Sequence, residues 1–265
     1  MSDPAATVVL DRDGAVATVV INRPRQHNAL DHATKTALRD VLEQVATDDS
    51  VRAVVLTGAG SAFCVGQDLA EHAQALQEDP TTAFDTVDEH YARVVTAVVT
   101  MAKPVVAAVN GTCVGAGLGL ALACDLRVVA STARFGTAFT AIGLTCDSGL
   151  SASLVQAVGR SRASELVLLG EIFTAEQALA WGISGLLTEP GETHSRAKEL
   201  AQRLASGPTR AYAESKALLH AASSTALPQA LVAESAAQHR LGLTRDHQDA
   251  VAAFLDKRRP DFTGA

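Results

Sequence analysis

The sequence predicts an α/β fold with right-handed crossovers, and three observations carry that prediction. Short aliphatic runs with few polar interruptions at 51–57, 105–109 and 126–130 read as strands of a buried sheet. Segments of helical periodicity alternate with these runs. Beyond about Glu192 the strand signal stops and only helical patterns follow. With 48% apolar and 19% charged residues, the chain is too apolar to be disordered. Its 265 residues suffice for one large core, alone or with an appendage.

Runs at 8–10 and 15–21 read as two strands joined through Asp13-Gly14, a hairpin dipeptide. A polar loop, Asn22-Arg23-Pro24-Arg25-Gln26-His27-Asn28, follows. Asp31 is the expected N-cap of a helix reaching about Thr47. Ala37, Leu38, Val41, Leu42 and Val45 give that helix its apolar face. The strand at 51–57 leads into a glycine-bearing loop at 58–66. A helix is expected over about 81–101, then the strand 105–109, a short buried helix at 115–124 and the strand 126–130. Helices at 193–206, 208–220, 227–240 and 246–257 are separated by Gly207-Pro208, by Ser223-Ser224 with Pro228, and by Gly242. The expected division is a core over 1–200 and a helical region over 201–265.

The net charge of −7 (22 basic against 29 acidic residues) argues against a general nucleic-acid binder, whose affinity comes from phosphate neutralisation. The basic run Lys257-Arg258-Arg259 reads as a solvated chain end. Cys64, Cys113, Cys124 and Cys146 show no CxxC spacing. Residues 1–4 have neither the basic nor the apolar region of a secretory signal, so a reducing cytosol is the expected location. The 21 uncharged residues at 104–124 have the length of a membrane span and carry GxxxG spacings. They also hold Pro104, Thr112, four glycines and the turn signal Asn110-Gly111, so a strand, a turn and a helix fit better than a span. The P-loop, dinucleotide and nucleophile-elbow motifs are all missing, and the histidines lack metal-ligand spacing. Glu71-His72 and Glu89-His90 are adjacent pairs on helices and point in different directions. The expectation is chemistry without a metal or a bound redox cofactor.

Two glycine loops follow apolar runs: Cys64-Val65-Gly66-Gln67-Asp68-Leu69, and Asn110-Gly111 through Gly115-Ala116-Gly117-Leu118-Gly119. Small residues at a helix start expose unpaired N–H groups to a ligand, and the dipole there favours negative charge. Two such loops side by side could aim two donors at one oxygen, as in an oxyanion hole. Close packing of a helix on a sheet would explain the same glycines.

Taken together, these segments resemble the enoyl-CoA hydratase/isomerase (crotonase) superfamily. The likeness runs from Ile21-Asn22-Arg23-Pro24 and Asn28-Ala29-Leu30 through Ala62-Phe63-Cys64-Val65-Gly66-Gln67-Asp68-Leu69 to Lys103-Pro104 and Gly115-Ala116-Gly117. It continues through Cys124-Asp125, Phe135-Gly136, Ile142-Gly143-Leu144, Gly170 and Trp181-Gly182-Ile183, over almost the whole chain. The resemblance implies a spiral of ββα units with a C-terminal helical region that assembles trimers, often paired into hexamers. It implies a coenzyme A thioester as substrate, with its carbonyl polarised by two backbone N–H groups, here those of Gln67 and Ala116. Arg25, Ala29, Asp68 and Leu69 fall where the family holds coenzyme A. Phe254 and Lys257 match an F-x-x-K pair that helps close the site, in many members from a neighbouring subunit. A core Phe and a solvated Lys are the alternative reading of that pair.

The chain departs from the family's hydratases at two positions. Their two glutamates would fall at Gly119, three residues beyond Ala116, and at Phe139, four beyond Phe135. Neither residue can move a proton, so two-glutamate hydration is not expected. A carboxylate remains in Ile142-Gly143-Leu144-Thr145-Cys146-Asp147-Ser148-Gly149, a segment similar to that of phenylacetate-pathway isomerases and related enoyl-CoA isomerases. There a single Asp is the base. One carboxylate suffices for a 1,3-proton shift, and an apolar Phe139 would help exclude water. Asp147 or Ser148 as N-cap of a helix beginning near Gly149 is the structural alternative. Cys146 has no evident partner base. The functions that follow are enoyl-CoA isomerisation, another reaction of the same scaffold such as hydration, hydrolysis or C–C bond chemistry, or acyl-CoA binding without catalysis.

Overall fold

The computed structural model describes residues 6–265, so residues 1–4 of the signal argument lie outside the described residues. The aliphatic runs form a six-stranded sheet in the order β1-β2-β3-β5-β7-β10. Its strands are β1 (Val8–Asp13), β2 (Val16–Ile21), β3 (Ala53–Gly58), β5 (Val105–Val109), β7 (Leu126–Ala130) and β10 (Leu186–Thr188). β1 and β2 pair antiparallel as a hairpin, and every other pairing in this sheet is parallel.

A second sheet was not legible in the sequence. It contains β4 (Ala62–Cys64), β6 (Thr112–Val114), β8 (Arg134–Gly136) and β9 (Phe173–Thr174). The expected loop at 58–66 thus contains β4, and the turn inside 104–124 contains β6. Strands of two or three residues are too short to show a period. Each of β3, β5 and β7 passes its chain to a short strand of the second sheet, β4, β6 and β8 respectively. A helix closes each turn: α2 (Leu69–Glu78), α4 (Ala116–Ala123) and α5 (Leu150–Leu169). This repeat is the expected spiral of ββα units. Within α5, Gly159 has non-helical backbone angles and marks a kink.

Helix α1 (His32–Thr47) begins where the sequence placed it, with the Asp31 carboxylate accepting from the Thr34 N–H. At its other end the buried Lys103 ammonium donates to the carbonyls of Val45 and Asp48. The helix expected over 81–101 is shorter. A π-helical turn at Val87–Ala92 runs into α3 (Arg93–Thr100). Alternation along the strands divides the core. Val54 and Leu56 of β3 and Val105, Ala107 and Val109 of β5 join the main cluster with Leu38 and Leu42 of α1 and Val98 of α3. Val55, Val106 and Ala108 face the opposite side, where α7 (Thr193–Ala205) packs through Ala197, Ala201 and Ala205.

A boundary at 200 falls inside α7, which belongs to the sheet. Helices α8 (Thr209–Ala221), α9 (Leu227–Gly242) and α10 (Arg245–Leu255) follow; α6 (Ala175–Ala180) lies before β10. Arg52 ties this region to the core by donating to Thr209 Oγ1 and to the carbonyls of Gly207 and Phe262. The Asp246 carboxylate holds the chain end by accepting from the N–H groups of Thr263 and Gly264. Leu231 and Val232 of α9 and Phe254 and Leu255 of α10 stay exposed. No helix among the described residues is long and apolar enough to cross a membrane.

Candidate active site

The two glycine loops leave the same end of the small sheet, because β4 and β6 are parallel neighbours with Cys64 opposite Cys113. In the first loop the Leu30 N–H donates to Gly66 O at 2.8 Å and the Asp68 N–H donates to Leu30 O at 3.1 Å. That bridge spends the groups on either side of Gln67 and leaves the Gln67 N–H without an acceptor among the described residues. In the second loop Ala116 is the first residue of α4, where an N–H has no intrahelical partner. The two turns touch. A Cβ added to Gly66, whose φ is +85°, would lie 3.2 Å from the Ala116 nitrogen and 3.3 Å from Val114 O. Glycine here keeps a side chain out of the space that both N–H groups border.

These donors open into a cavity of about 370 Å³. Its walls are mostly apolar: Leu69, Phe84, Val87, Phe139, Ile142 and Leu144. Asp147 is the one carboxylate among its lining residues. It lies between Gly143 and Gly149, in a segment turned by left-handed backbone at both glycines and at Ser148. Burial pushes the Asp147 carboxyl up from its ordinary value, partly opposed by the hydrogen bond that Ser148 Oγ donates to Oδ1 at 2.8 Å. The cap alternative for Asp147 or Ser148 is not what the chain adopts. Gly149 holds the N-cap position of α5, and no side chain caps that helix.

The space for a longer side chain at position 119 is already filled. A Cβ on Gly119 would lie 2.7 Å from Ser148 Cβ and 2.8 Å from Ser148 O. The segment that carries Asp147 therefore sits where a residue-119 side chain would grow. Phe139 lines the cavity and is nearly buried. Of the two departures from the two-glutamate pattern, Phe139 thus lies on the cavity wall and Gly119 packs against the segment that carries Asp147.

The other expected residues divide. Ala29 and Leu69 line the cavity. Arg25 is exposed on a short 3-10 turn, Pro24–Gln26, and does not line it. The Asp68 carboxylate accepts from the N–H groups of Ala70 and Glu71 as the N-cap of α2, and it pairs with Arg23 at 2.9 Å. Arg23 reaches Asp31 as well, so it staples the starts of α1 and α2 together. Phe254 is 83% exposed, so the core reading of this residue does not hold within a single chain. Lys257 lies on the surface just past α10, and neither residue reaches the cavity of its own chain. Cys146 is free and only partly buried, with its thiol pushed up by burial and by the Asp147 charge.

Sequence reasoning missed Phe84 and Tyr91, which border the cavity, and named His72 without placing it there. His72 and Phe84 meet edge to face with ring centroids 5.2 Å apart. It also missed Lys35, a buried cation whose ammonium reaches Gln67. Its signal was its place on the face of α1 that carries Leu38 and Leu42. No three His, Cys, Asp or Glu side chains among the described residues are gathered to hold a metal ion.

Comparison with known proteins agrees with this geometry. Residues 11–265 match the family model described as enoyl-CoA hydratase/isomerase. The 1,2-epoxyphenylacetyl-CoA isomerase of Escherichia coli (strain K12) is 38% identical over 94% of this chain and 95% of its own. The short-chain-enoyl-CoA hydratase of Clostridium acetobutylicum is 34% identical over 95% of each. Among solved structures, a candidate enoyl-CoA hydratase/isomerase from Mycobacterium abscessus superposes with a TM-score of 0.94 and 48% identity. That match covers 97% of this chain and all (100%) of the other.

Proposed function

Because the chain belongs to the enoyl-CoA hydratase/isomerase family, we propose that it shifts a carbon–carbon double bond in an enoyl-CoA thioester by a 1,3-proton transfer. One observation carries this reading: Asp147 is the sole carboxylate lining the cavity among the described residues, while Gly119 and Phe139 stand where the two glutamates of hydration would be. The thioester oxygen sits between the N–H groups of Gln67 and Ala116. Asp147 removes a proton from one carbon, and the electron pair passes through the conjugated system to that oxygen as a dienolate. The same carboxyl returns the proton two carbons away as the dienolate collapses, so the product has the mass of the substrate. Preorganised N–H donors stabilise such charge strongly, each about 2.7–4 kcal/mol at the transition state. The raised Asp147 pKa suits a group that must both take and return a proton.

Coenzyme A enters beside Ala29 and Leu69, with Arg25 and Asp68 near the same mouth. Phe254 and Lys257 of a neighbouring subunit close it in a homotrimer, alone or paired as a hexamer. The exposed apolar side chains of α9 and α10 support that assembly. The reaction needs no metal and no cofactor beyond the thioester itself, and a cytosolic location fits it. Hydration is the second reading, favoured by the relatives that carry hydratase names.

The test offers 3-enoyl-CoA and 2-enoyl-CoA separately, following conjugated-thioester absorbance and product mass. Isomerisation interconverts them at constant mass. Asp147→Asn abolishes turnover and leaves thioester binding in place. Addition of one water, or turnover that survives in Asp147→Asn, refutes the assignment.

A further inference from the structure

The side chain of Gln67 lies between two cavities. One is the apolar acyl cavity; the other is a polar hollow of about 500 Å³ behind it, bordered by Lys35, Glu71, His32 and His90. On this wall two structural elements converge on a single atom, Gln67 Oε1. Lys35 Nζ on α1 donates to it at 3.2 Å, and Tyr91 Oη in the π-helical turn donates to it at 2.5 Å. Lys35 also reaches Glu71 Oε1 on α2 at 3.3 Å, and Glu71 Oε2 accepts from the His32 N–H at 2.7 Å. Lys35 and Tyr91 are 3% and 2% exposed, so these bonds are shielded from competing water.

Both partners can only donate toward an amide oxygen, which fixes the orientation of the Gln67 amide. The ammonium makes its bond the charge-assisted kind, roughly twice as strong as a neutral pair. A buried ammonium also needs such partners, which links the Gln67 side chain to the stability of α1. The backbone of Gln67 has its own restraint in the bridge to Leu30, which holds Gly66 O in the same planar peptide as the Gln67 N–H. Gly66 precedes it at φ +85°, a backbone conformation that glycine adopts without strain. Leu30 holds Gly66 O and the Asp68 N–H, while the Gln67 N–H itself is unpaired.

The geometry points to Lys35 and Tyr91 as positioning residues for the oxyanion hole, acting through Gln67 Oε1 to hold the Gln67 N–H on the thioester oxygen. They touch neither carbonyl nor reacting carbon; they fix the side chain of the residue whose main chain does. Gly66 brings the two turns together, the Leu30 bridge holds the peptides on either side of Gln67, and the Lys35–Gln67–Tyr91 clamp anchors the side chain of the same residue. This inference rests on the oxyanion-hole reading of the two loops.

The test reads the hole directly and does not depend on turnover. An unreactive, chromophoric aryl-acryloyl thioester of coenzyme A absorbs further to the red when its carbonyl is polarised. Bound to the unaltered protein, it shifts red. Bound to Lys35→Met, Tyr91→Phe or Gln67→Met, it binds with similar affinity but loses much of that shift. On a turned-over substrate kcat falls about 10–100-fold in these variants with KM little changed, short of the about 10²–10³-fold loss expected for deleting a donor outright. Adding Lys35→Met or Tyr91→Phe to Gln67→Met brings no further loss, because all three act through one atom. Tyr91→Phe deletes a single oxygen and keeps the test open should Lys35→Met fail to fold. A full red shift and full kcat in Tyr91→Phe and in folded Lys35→Met overturn the inference, as do losses that multiply in the double variants. If the unaltered protein binds the probe without any red shift, the oxyanion-hole reading itself falls, a result distinct from a shift present in the parent and retained in the variants.

Discussion

Gly119→Ala adds one methyl group at the point where α4 meets the Asp147 segment. The new Cβ would stand 2.7 Å from Ser148 Cβ and 2.8 Å from Ser148 O. Reaching an ordinary 3.4 Å contact requires a shift of about 0.7 Å, and the obstacle is backbone as well as side chain. Ser148 adjoins Asp147 and holds its carboxylate, so the shift passes directly to the base. Overpacking of this kind costs about 1–3 kcal/mol, and alanine in a helix returns up to about 1 kcal/mol over glycine. The net loss of stability is therefore small, about 0–2 kcal/mol. The effect on chemistry is larger, because misplacing a catalytic group by about 1 Å can lower the rate about 100-fold. The expected result is a 10- to 100-fold fall in kcat (about that range) with a melting temperature lowered by only a few degrees. Gly185→Ala is the control, since a Cβ there meets nothing within 4 Å. Calorimetry and the rate of double-bond migration measure the two effects. Full kcat in Gly119→Ala refutes the reasoning, and so does hydratase activity in Gly119→Glu, because a carboxylate would then have found space that Ser148 occupies.

Asp147 must be ionised to take a proton, so kcat/KM rises with pH through a pKa above the ordinary 3.8. Ser148→Ala removes the hydrogen bond that lowers this pKa, and the acid limb of the pH–rate profile moves to higher pH; an unmoved limb contradicts the assignment. Asp68→Ala removes the N-cap of α2 and a partner of Arg23, lowering stability by about 1–2 kcal/mol in chemical denaturation. Because the Asp68 carboxylate faces Arg23 and the α2 N–H groups, the same variant changes KM for the thioester by less than it changes stability. Phe254→Ala costs an isolated chain almost nothing, since that ring is 83% exposed. In light scattering it weakens the assembly, and in kinetics both it and Lys257→Ala raise KM for the coenzyme A thioester; unchanged assembly and KM exclude the neighbouring-subunit role.

Most of the large sheet was legible because β3, β5 and β7 are mainly aliphatic runs with few polar interruptions, with α1 beside them showing an apolar stripe and an Asp cap; the three-residue β10 was not. The short strands β4, β6 and β8 were hidden, because three residues carry no period and glycine-rich surroundings read as loop. The two glycine loops that meet at the cavity were legible because glycine marks where a backbone must come close; that their donors are the Gln67 and Ala116 N–H groups came from the family resemblance. Lys35 and Tyr91 were not legible, since a lysine in an amphipathic helix normally reads as solvated and a lone tyrosine as core.

Local composition thus determined that alternating strands and helices form, where α1 starts, and that positions 119 and 139 hold no acid. Those properties follow from propensity and from side-chain identity, which act within a few residues. Only tertiary packing decided that Gly66 lies against Ala116, that Ser148 occupies the space beside Gly119, and that Lys35 and Tyr91 share one oxygen of Gln67. Each of these contacts joins segments 24 to 50 residues or more apart in the chain. Their distance is set by how the parallel strands stack the turns of the spiral, and no short stretch of sequence encodes it.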